Sequence, residues 1–266
     1  MPMNDLNQLN EHQRTMAALA AEASQVFGCY PAPDRLTLLG DPHHDHALEA
    51  ALCRTPLAEL SVAQFRDFYL EFSVEPDSAR EFLYFLPRIL DLLAQGERLS
   101  LVPERVLSGL KPGVAAGLGQ EQTSVLNRFV LAYFRNWLGP NQWRAQAGVA
   151  WNDSVEVLAM VHFGGLDIQP LLDEWAQTDD IRASRHFAIA GYWSWWGPCA
   201  EPAAYEDEAP AFAQQIRAWL QEPATRARFI EKLQALEFKA LVTALQPDQP
   251  QSLREMVDLA LQKLNS

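Results

Sequence analysis

Residues 76–96, PDSAREFLYFLPRILDLLAQG, place apolar side chains at the three- and four-residue spacing of an α-helix. The apolar stripe consists of Phe82, Phe85, Leu86, Ile89, Leu90 and Leu93. Asp77 is a typical N-cap, and Gly96 follows the last turn, where glycine often ends a helix. A stripe this wide must be buried, so the segment predicts a helical core. Pro87 predicts a kink or a break, because proline has no backbone N–H.

The neighbouring segments continue this pattern in both directions. Residues 60–77 begin with a capping box, formed by Ser61 and Gln64, and then present an aromatic face. Residues 120–140 predict a second strong helix that ends at Gly139-Pro140. Further helical segments cover 152–163, 166–177, 179–196, 209–221, 224–245 and 252–266, the last with a capping box of Ser252 and Glu255. The sequence has few alternating β-branched runs and no Asn-Gly or Asp-Gly turn, so the chain is predicted to be all-α.

Short helices joined by short loops predict an irregular array of helical hairpins. This array resembles a HEAT- or TPR-like solenoid, but the sequence shows no clear repeat period. The 266 residues fit a single helical domain over 1–266, with two lobes meeting near 95–120 as the alternative. The segment 95–120 is rich in glycine and proline, and an acidic loop follows at 197–210.

The charge balance restricts the class of partner. The formal net charge is −13, from 34 acidic and 21 basic residues. Nucleic-acid binding depends on Lys and Arg, so it is not expected. An acidic surface suits a protein partner with a basic surface, although solubility alone is the alternative explanation. No apolar run is long enough to predict a membrane span, and three cysteines without an export signal predict a cytoplasmic protein.

Residues 38–53, LLGDPHHDHALEAALC, concentrate half of the six histidines. A helix from Pro42 to Cys53 would place His46, Glu49 and Cys53 on one face. The candidate zinc ligands are Cys29, His43, His46 and Cys53, with Asp41 or Glu49 as substitutes. The spacing lacks two tight ligand pairs, so a capped, solvated helix start remains the alternative. No cofactor is therefore predicted beyond this zinc hypothesis.

Residues 191–199, GYWSWWGPC, form the most aromatic stretch. Tryptophans here either pack in a core or, with the acidic residues 206–208, form an aromatic and acidic surface for a basic partner. The candidate partner-binding residues are Glu71, Glu75, Asp77, Trp195, Trp196, Glu206, Asp207 and Glu208.

Recognisable catalytic motifs are missing from the sequence. It contains no G-x-S-x-G elbow, Walker loop or G-x-G-x-x-G. His162 and His186 both lie in apolar helical segments, which favours core or boundary positions over a catalytic role. We therefore expect no enzymatic activity, with a metal-dependent enzyme using the 41–53 cluster as the alternative.

Residues 30–95, approximately, contain two motifs that are similar to those of a group of bacterial proteins. TPLAEL (55–60) and FLPRILDL (85–92) resemble the TPL-x-EL and FLPR-ILEL patterns of a group of bacterial all-helical proteins of uncharacterised function. Some relatives have Cys-Pro-x-Cys where this chain has Asp41-Pro42-His43-His44. At the level of class, an acidic all-α protein of this size is also similar to immunity proteins of bacterial toxin systems. The motif resemblance implies no known activity, whereas the similarity to immunity proteins implies a protein that neutralises a secreted toxin, with a helical-repeat adaptor as a further alternative.

Overall fold

The computed structural model describes residues 3–36, 46–71, 78–139, 154–198, 205–235, 238–239 and 253–266. The side chains of 3–10, 46 and 67–71 lie outside this set. These ranges contain no strand, which confirms the all-α prediction for them. Their twelve α-helices are α1 (Met3–Phe27), α2 (His46–Arg54), α3 (Val62–Glu71), α4 (Ala79–Ala94), α5 (Lys111–Ala116), α6 (Gln120–Leu138), α7 (Ser154–Phe163), α8 (Gln169–Gln177), α9 (Ile181–Ala190), α10 (Pro210–Gln221), α11 (Pro223–Gln234) and α12 (Leu253–Asn265).

The chain divides into two compact units. Unit 1 comprises Met1–Phe134 and Val157–Ile168, and unit 2 comprises Arg135–Glu156 and Gln169–Ser266. The segment 95–120, where the sequence analysis placed a meeting of two lobes, lies entirely within unit 1. A solenoid arrangement stays a prediction.

Unit 1 is built on helix α4, and helix α1 packs along it. The predicted stripe of α4 is buried throughout. The helix continues from Ala79 to Ala94 with Pro87 inside it, so the expected break is absent. Each large apolar side chain contributes about 1.5–3 kcal/mol on burial, and together these side chains outweigh the hydrogen bond that Pro87 cannot make.

The ends of several helices follow the predicted local chemistry. The amide of Ser61 donates to Oε1 of Gln64 over 3.0 Å, and the amide of Gln64 donates to Oγ of Ser61 over 3.3 Å, which confirms this capping box. At the end of α4, Gly96 has a φ of 81°. Its amide donates to the carbonyl of Leu93, and the amide of Glu97 donates to the carbonyl of Leu92, both over 3.0 Å. This is the Schellman pattern, and it requires a left-handed residue such as glycine.

Unit 2 holds helices α8 to α12 and a π-helical segment, Gly191–Trp196, that continues from α9. Helix α12 packs against this segment and against α9 and α11. The prediction of one long helix over 224–245 is wrong, because α11 ends at Gln234 and Ala235 is extended with a ψ of 141°. Nothing in the local sequence explains this break. Ser252 of the second capping box lies outside the described residues.

Candidate protein-binding site

Six aromatic rings form the centre of unit 2. This aromatic cluster consists of Trp175, Phe187, Trp195, Trp196, Trp219 and Phe229. The rings of Phe187 and Phe229 stack with centroids 3.7 Å apart, and those of Trp175 and Trp219 stack at 5.7 Å. Trp175 is fully buried and donates its indole N–H to the carbonyl of Ala183 over 3.0 Å. The cluster is therefore mainly a core, as the packing alternative predicts.

Trp195 and Trp196 lie at the edge of this cluster. Both are partly exposed, whereas Trp219 is only 4% exposed. They belong to the π-helical segment, whose first residue, Gly191, leaves room for the indole of Trp196. A Cβ atom at Gly191 would lie 3.0 Å from two carbons of that ring. Each of the two tryptophans thus exposes only part of its side chain to solvent, and the remainder packs against the aromatic cluster.

Lys232 is a buried cation next to the aromatic cluster. It is 8% exposed, and its Nζ donates to the carbonyls of Trp175 over 3.1 Å and Ala176 over 2.7 Å. These carbonyls belong to the last turn of α8, where a cation interacts favourably with the helix dipole. Desolvation, together with the nearby guanidinium of Arg228, lowers the pKa of Lys232 to about 8. Its role is to cap α8, and no motif in the sequence indicates this contact.

The acidic turn, Tyr205–Glu208, is the most exposed part of the predicted interface among the residues whose side chains the structure describes. Glu206, Asp207 and Glu208 are all exposed. Glu206 forms an ion pair with Arg217 at 3.4 Å. The ring of Tyr205 contacts that of Phe212 with centroids 5.2 Å apart, which fixes the turn at the beginning of α10. Carboxylates near a helix N-terminus are favourable, so the turn is compatible with the helix that follows it.

Within the described residues, the acidic turn and the two tryptophans contact different parts of α10. The turn is anchored at the first residues of α10, whereas Trp195 contacts Trp219 near the end of that helix, at 6.2 Å between centroids. Phe212, which holds the turn, and Trp219 are seven residues apart on α10, or about 10 Å along its axis. Of the candidates in unit 1, Glu71 is the last residue of α3, and Glu75 and Asp77 lie outside the described residues.

A groove lies between the beginning of α8 and the end of α10. Its volume is about 490 Å³, and it is lined by Gln169, Gln215, Ala218, Trp219, Gln221 and Glu222. Nε2 of Gln215 donates to Oε1 of Gln169 over 3.4 Å, and Nε2 of Gln169 donates to Oδ1 of Asp173 over 2.8 Å. This groove cannot be recognised in the sequence, because its residues come from segments that are distant in sequence and share no motif.

The structure leaves the zinc hypothesis untested. His43 and the side chain of His46 lie outside the described set, and helix α2 is described only from His46 onward. Cys29 is exposed and Cys53 is partly buried. Burial, with the nearby carboxylate of Glu49, raises the pKa of the Cys53 thiol. Oε1 of Glu49 accepts the amide of Leu36 over 3.0 Å, and the described residues contain no group of three potential ligands.

His186 lies in the core of unit 2, as the sequence predicts. It is 4% exposed, and its Nδ1 has no hydrogen-bond partner among the described residues. Desolvation, with the charge of Arg185, lowers the pKa of His186 to about 4. The imidazole is therefore neutral at pH 7.

Comparisons with known proteins add no relative for this chain. Searches with protein-family models, among curated proteins and among solved structures found no match. Among the described helices, none combines the length and apolar character needed to cross a membrane.

Proposed function

We propose that this chain is a protein-binding module that uses the acidic turn to recognise a partner with a basic surface. The supporting observation is the exposure of three successive carboxylates on a turn that Tyr205 and helix α10 hold in place. Opposite surface potentials accelerate encounter and select against partners of the wrong charge. The net charge of −13 favours the same kind of partner.

The specific form of this proposal is neutralisation of a bacterial toxin in the cytoplasm. In that role the module covers the active surface of the toxin, and its carboxylates pair with basic residues there. The likeness to immunity proteins at the level of class supports this role, and so does the contact of Tyr205 with the buried ring of Phe212, which holds the acidic turn against α10. Binding by preorganised carboxylates requires no chemistry from the module itself.

The test uses the product of the reading frame next to the gene of this chain as the candidate partner. We expect the two purified proteins to bind, with an association rate that falls as salt is raised from 50 to 500 mM, by about tenfold or more. Replacing Glu206, Asp207 and Glu208 together by lysine should weaken the affinity by about thirtyfold, because each reversal replaces attraction with repulsion. Titration calorimetry and stopped-flow kinetics measure these quantities.

A matched control replaces three exposed carboxylates of unit 1, Glu11, Glu59 and Glu97, by lysine. This variant has the same net charge as the first, and its affinity should change less than threefold. A milder variant, E206Q/D207N/E208Q, keeps the shape of the turn and should weaken binding by about fivefold. Equal losses in the turn variant and the control would mean that general charge, and not this turn, drives binding. No complex at all would rule out the proposed partner.

A further inference from the structure

We propose that the loop after helix α4 binds a segment of a protein partner that carries carboxylates next to apolar side chains. This surface, named the arginine loop, consists of residues 97–105 and the side chain of Arg66 from α3. It belongs to unit 1, whereas the acidic turn belongs to unit 2. The inference therefore goes beyond the proposed function and does not depend on it.

The arginine loop exposes two adjacent apolar side chains. Leu101 is 72% exposed and Val102 is 46% exposed, and no other large apolar side chain is exposed among those that the structure describes. Hydrogen bonds fix their backbone. The amide of Val102 donates to Oγ of Ser100, and the carbonyl of Val102 accepts the amide of Arg105, both over 3.0 Å. An apolar pair on a fixed backbone loses little conformational entropy when a partner covers it.

Two guanidinium groups lie against the same loop. Nε of Arg66 donates to the carbonyl of Arg98 over 3.0 Å, and Nε of Arg98 donates to the carbonyl of Ser100 over 3.3 Å. Both side chains are exposed, and neither forms an ion pair within the described residues. Their Nη atoms can therefore bind a carboxylate from outside, through the two parallel N–H···O bonds that a guanidinium offers.

Arg88 in α4 shows how this chain completes the same arrangement. Its Nε donates to the carbonyl of Leu60 over 3.0 Å, and its Nη1 binds the carboxylate of Asp91. Arg66 and Arg98 have the same backbone anchor without a carboxylate, although the chain has 34 acidic and 21 basic residues. In the proposed complex, the carboxylates of the partner take the position that Asp91 has at Arg88.

The acidic residues of the loop itself restrict the class of partner. Glu97 and Glu104 form no ion pair with either guanidinium in the described part of the chain, but they lower the local positive potential. Arg105 does not add to the site, because its guanidinium lies 4.1 Å from the ring centroid of Phe163. With a net charge of −13 as well, a nucleic acid or an anionic membrane is disfavoured. A peptide with few carboxylates and apolar side chains between them fits best.

The test uses the purified full chain and the blocked peptide acetyl-Glu-Leu-Leu-Glu-amide as the probe. We expect the peptide to shift the amide ¹⁵N–¹H signals of Leu101 and Val102 and the Nε–H signals of Arg66 and Arg98, with saturation at millimolar concentration. Acetyl-Gln-Leu-Leu-Gln-amide lacks the charges and should bind about tenfold more weakly. Acetyl-Glu-Ser-Ser-Glu-amide lacks the apolar contact and should bind about fivefold more weakly. Equal binding of the three peptides, or the absence of these shifts, would refute the site.

Variants locate the site. Arg98→Lys keeps the charge but loses the fork of N–H groups, and it should weaken peptide binding by about fivefold. Leu101→Ser should weaken it by about threefold and leave the free energy of unfolding unchanged, because this side chain is largely exposed. The control is Arg80→Gln, an exposed position at the beginning of α4 and about 21 Å along its axis from the loop, which should have no effect. Binding that is unchanged in both loop variants, or equally weakened in the control, would overturn the inference.

A separate measurement addresses membranes. Vesicles of phosphatidylcholine and phosphatidylserine should not sediment the chain, because both carry negative charge. Sedimentation that Leu101→Ser abolishes would assign the loop to a membrane and reject the peptide site. The acidic-turn variants should leave peptide binding unchanged, and the loop variants should leave binding of the basic partner unchanged. Failure of one proposal is therefore distinguishable from failure of the other.

Discussion

Trp175→Ala is expected to lower the free energy of unfolding of unit 2 by about 4 kcal/mol. Trp175 is fully buried and contacts four other rings of the aromatic cluster. Removing a buried aromatic side chain typically costs about 3–5 kcal/mol, since the lost burial adds to the cavity that remains. The substitution also leaves the carbonyl of Ala183 without the indole N–H. Urea unfolding followed by tryptophan fluorescence measures this loss.

Fluorescence is a suitable signal because all six tryptophans that the structure describes belong to unit 2. Trp175→Phe serves as the matched variant. It keeps a ring in the cluster and removes the hydrogen bond, so it should cost about 1–2 kcal/mol. Trp195→Ala, at the partly exposed edge, should cost less than Trp175→Ala. A loss below about 1 kcal/mol for Trp175→Ala would contradict the central position of this residue.

Unit 2 should lose about 2.5 kcal/mol of stability between pH 7.5 and 4.5 through His186 alone. The pKa of His186 is about 4 in the folded chain, against an ordinary value of 6.5. The unfolded chain therefore binds the proton more tightly, and stability falls as the pH drops below 6.5. The loss is complete only below pH 4. Its physical cause is the burial of a charged imidazole whose Nδ1 has no partner among the described residues.

His186→Leu isolates this contribution. Leucine fills a similar space without a titratable group, so the variant should differ from the wild type by less than about 1 kcal/mol at pH 7.5. Between pH 7.5 and pH 4.5, the free energy of unfolding of the variant should rise by about 2.5 kcal/mol relative to that of the wild type. The variant should therefore be the more stable protein at pH 4.5. Urea unfolding at a series of pH values gives the difference, and carboxylates that titrate in both proteins cancel. Parallel pH profiles for the two proteins would disprove the assignment.

Local chemistry explains two helix ends that the sequence predicted correctly, the beginning of α3 and the end of α4. Gly96 and the pair Ser61 and Gln64 act through neighbours within five residues, so their roles can be recognised in the sequence. Pro87 does not break α4, because the packing of the whole apolar stripe outweighs one missing hydrogen bond, and the alternative of a kink stays a prediction. The end of α11 at Gln234 has no sequence signal, and it lies eleven residues before the end predicted from the helical pattern of 224–245.

The candidate site was harder to predict, because its contacts join distant segments. Lys232 caps a helix that ends more than fifty residues earlier, and no periodicity reveals such a pairing. The aromatic stretch was recognised, but its division into a buried core and a partly exposed edge depends on where α10 and α11 pack. The groove arises in the same way, from Gln169 and Gln215 meeting across 46 residues.

The π-helical segment has a consequence for how this region tolerates changes in length. A π-helix holds more residues in each turn than an α-helix, so it is the geometry that a one-residue insertion produces in an α-helix. Deleting one residue within Gly191–Trp196 would return the segment to α-helical winding, in which five residues turn the chain about as far as six residues do in a π-helix. The residues after the deletion would keep their direction, so Trp195 and Trp196 would stay against the ring of Phe187, whose centroid lies 5.4 and 6.0 Å from theirs. In a regular α-helix the same deletion would turn every later residue by about 100°, so this segment should accept the loss of one residue more easily than the rest of α9.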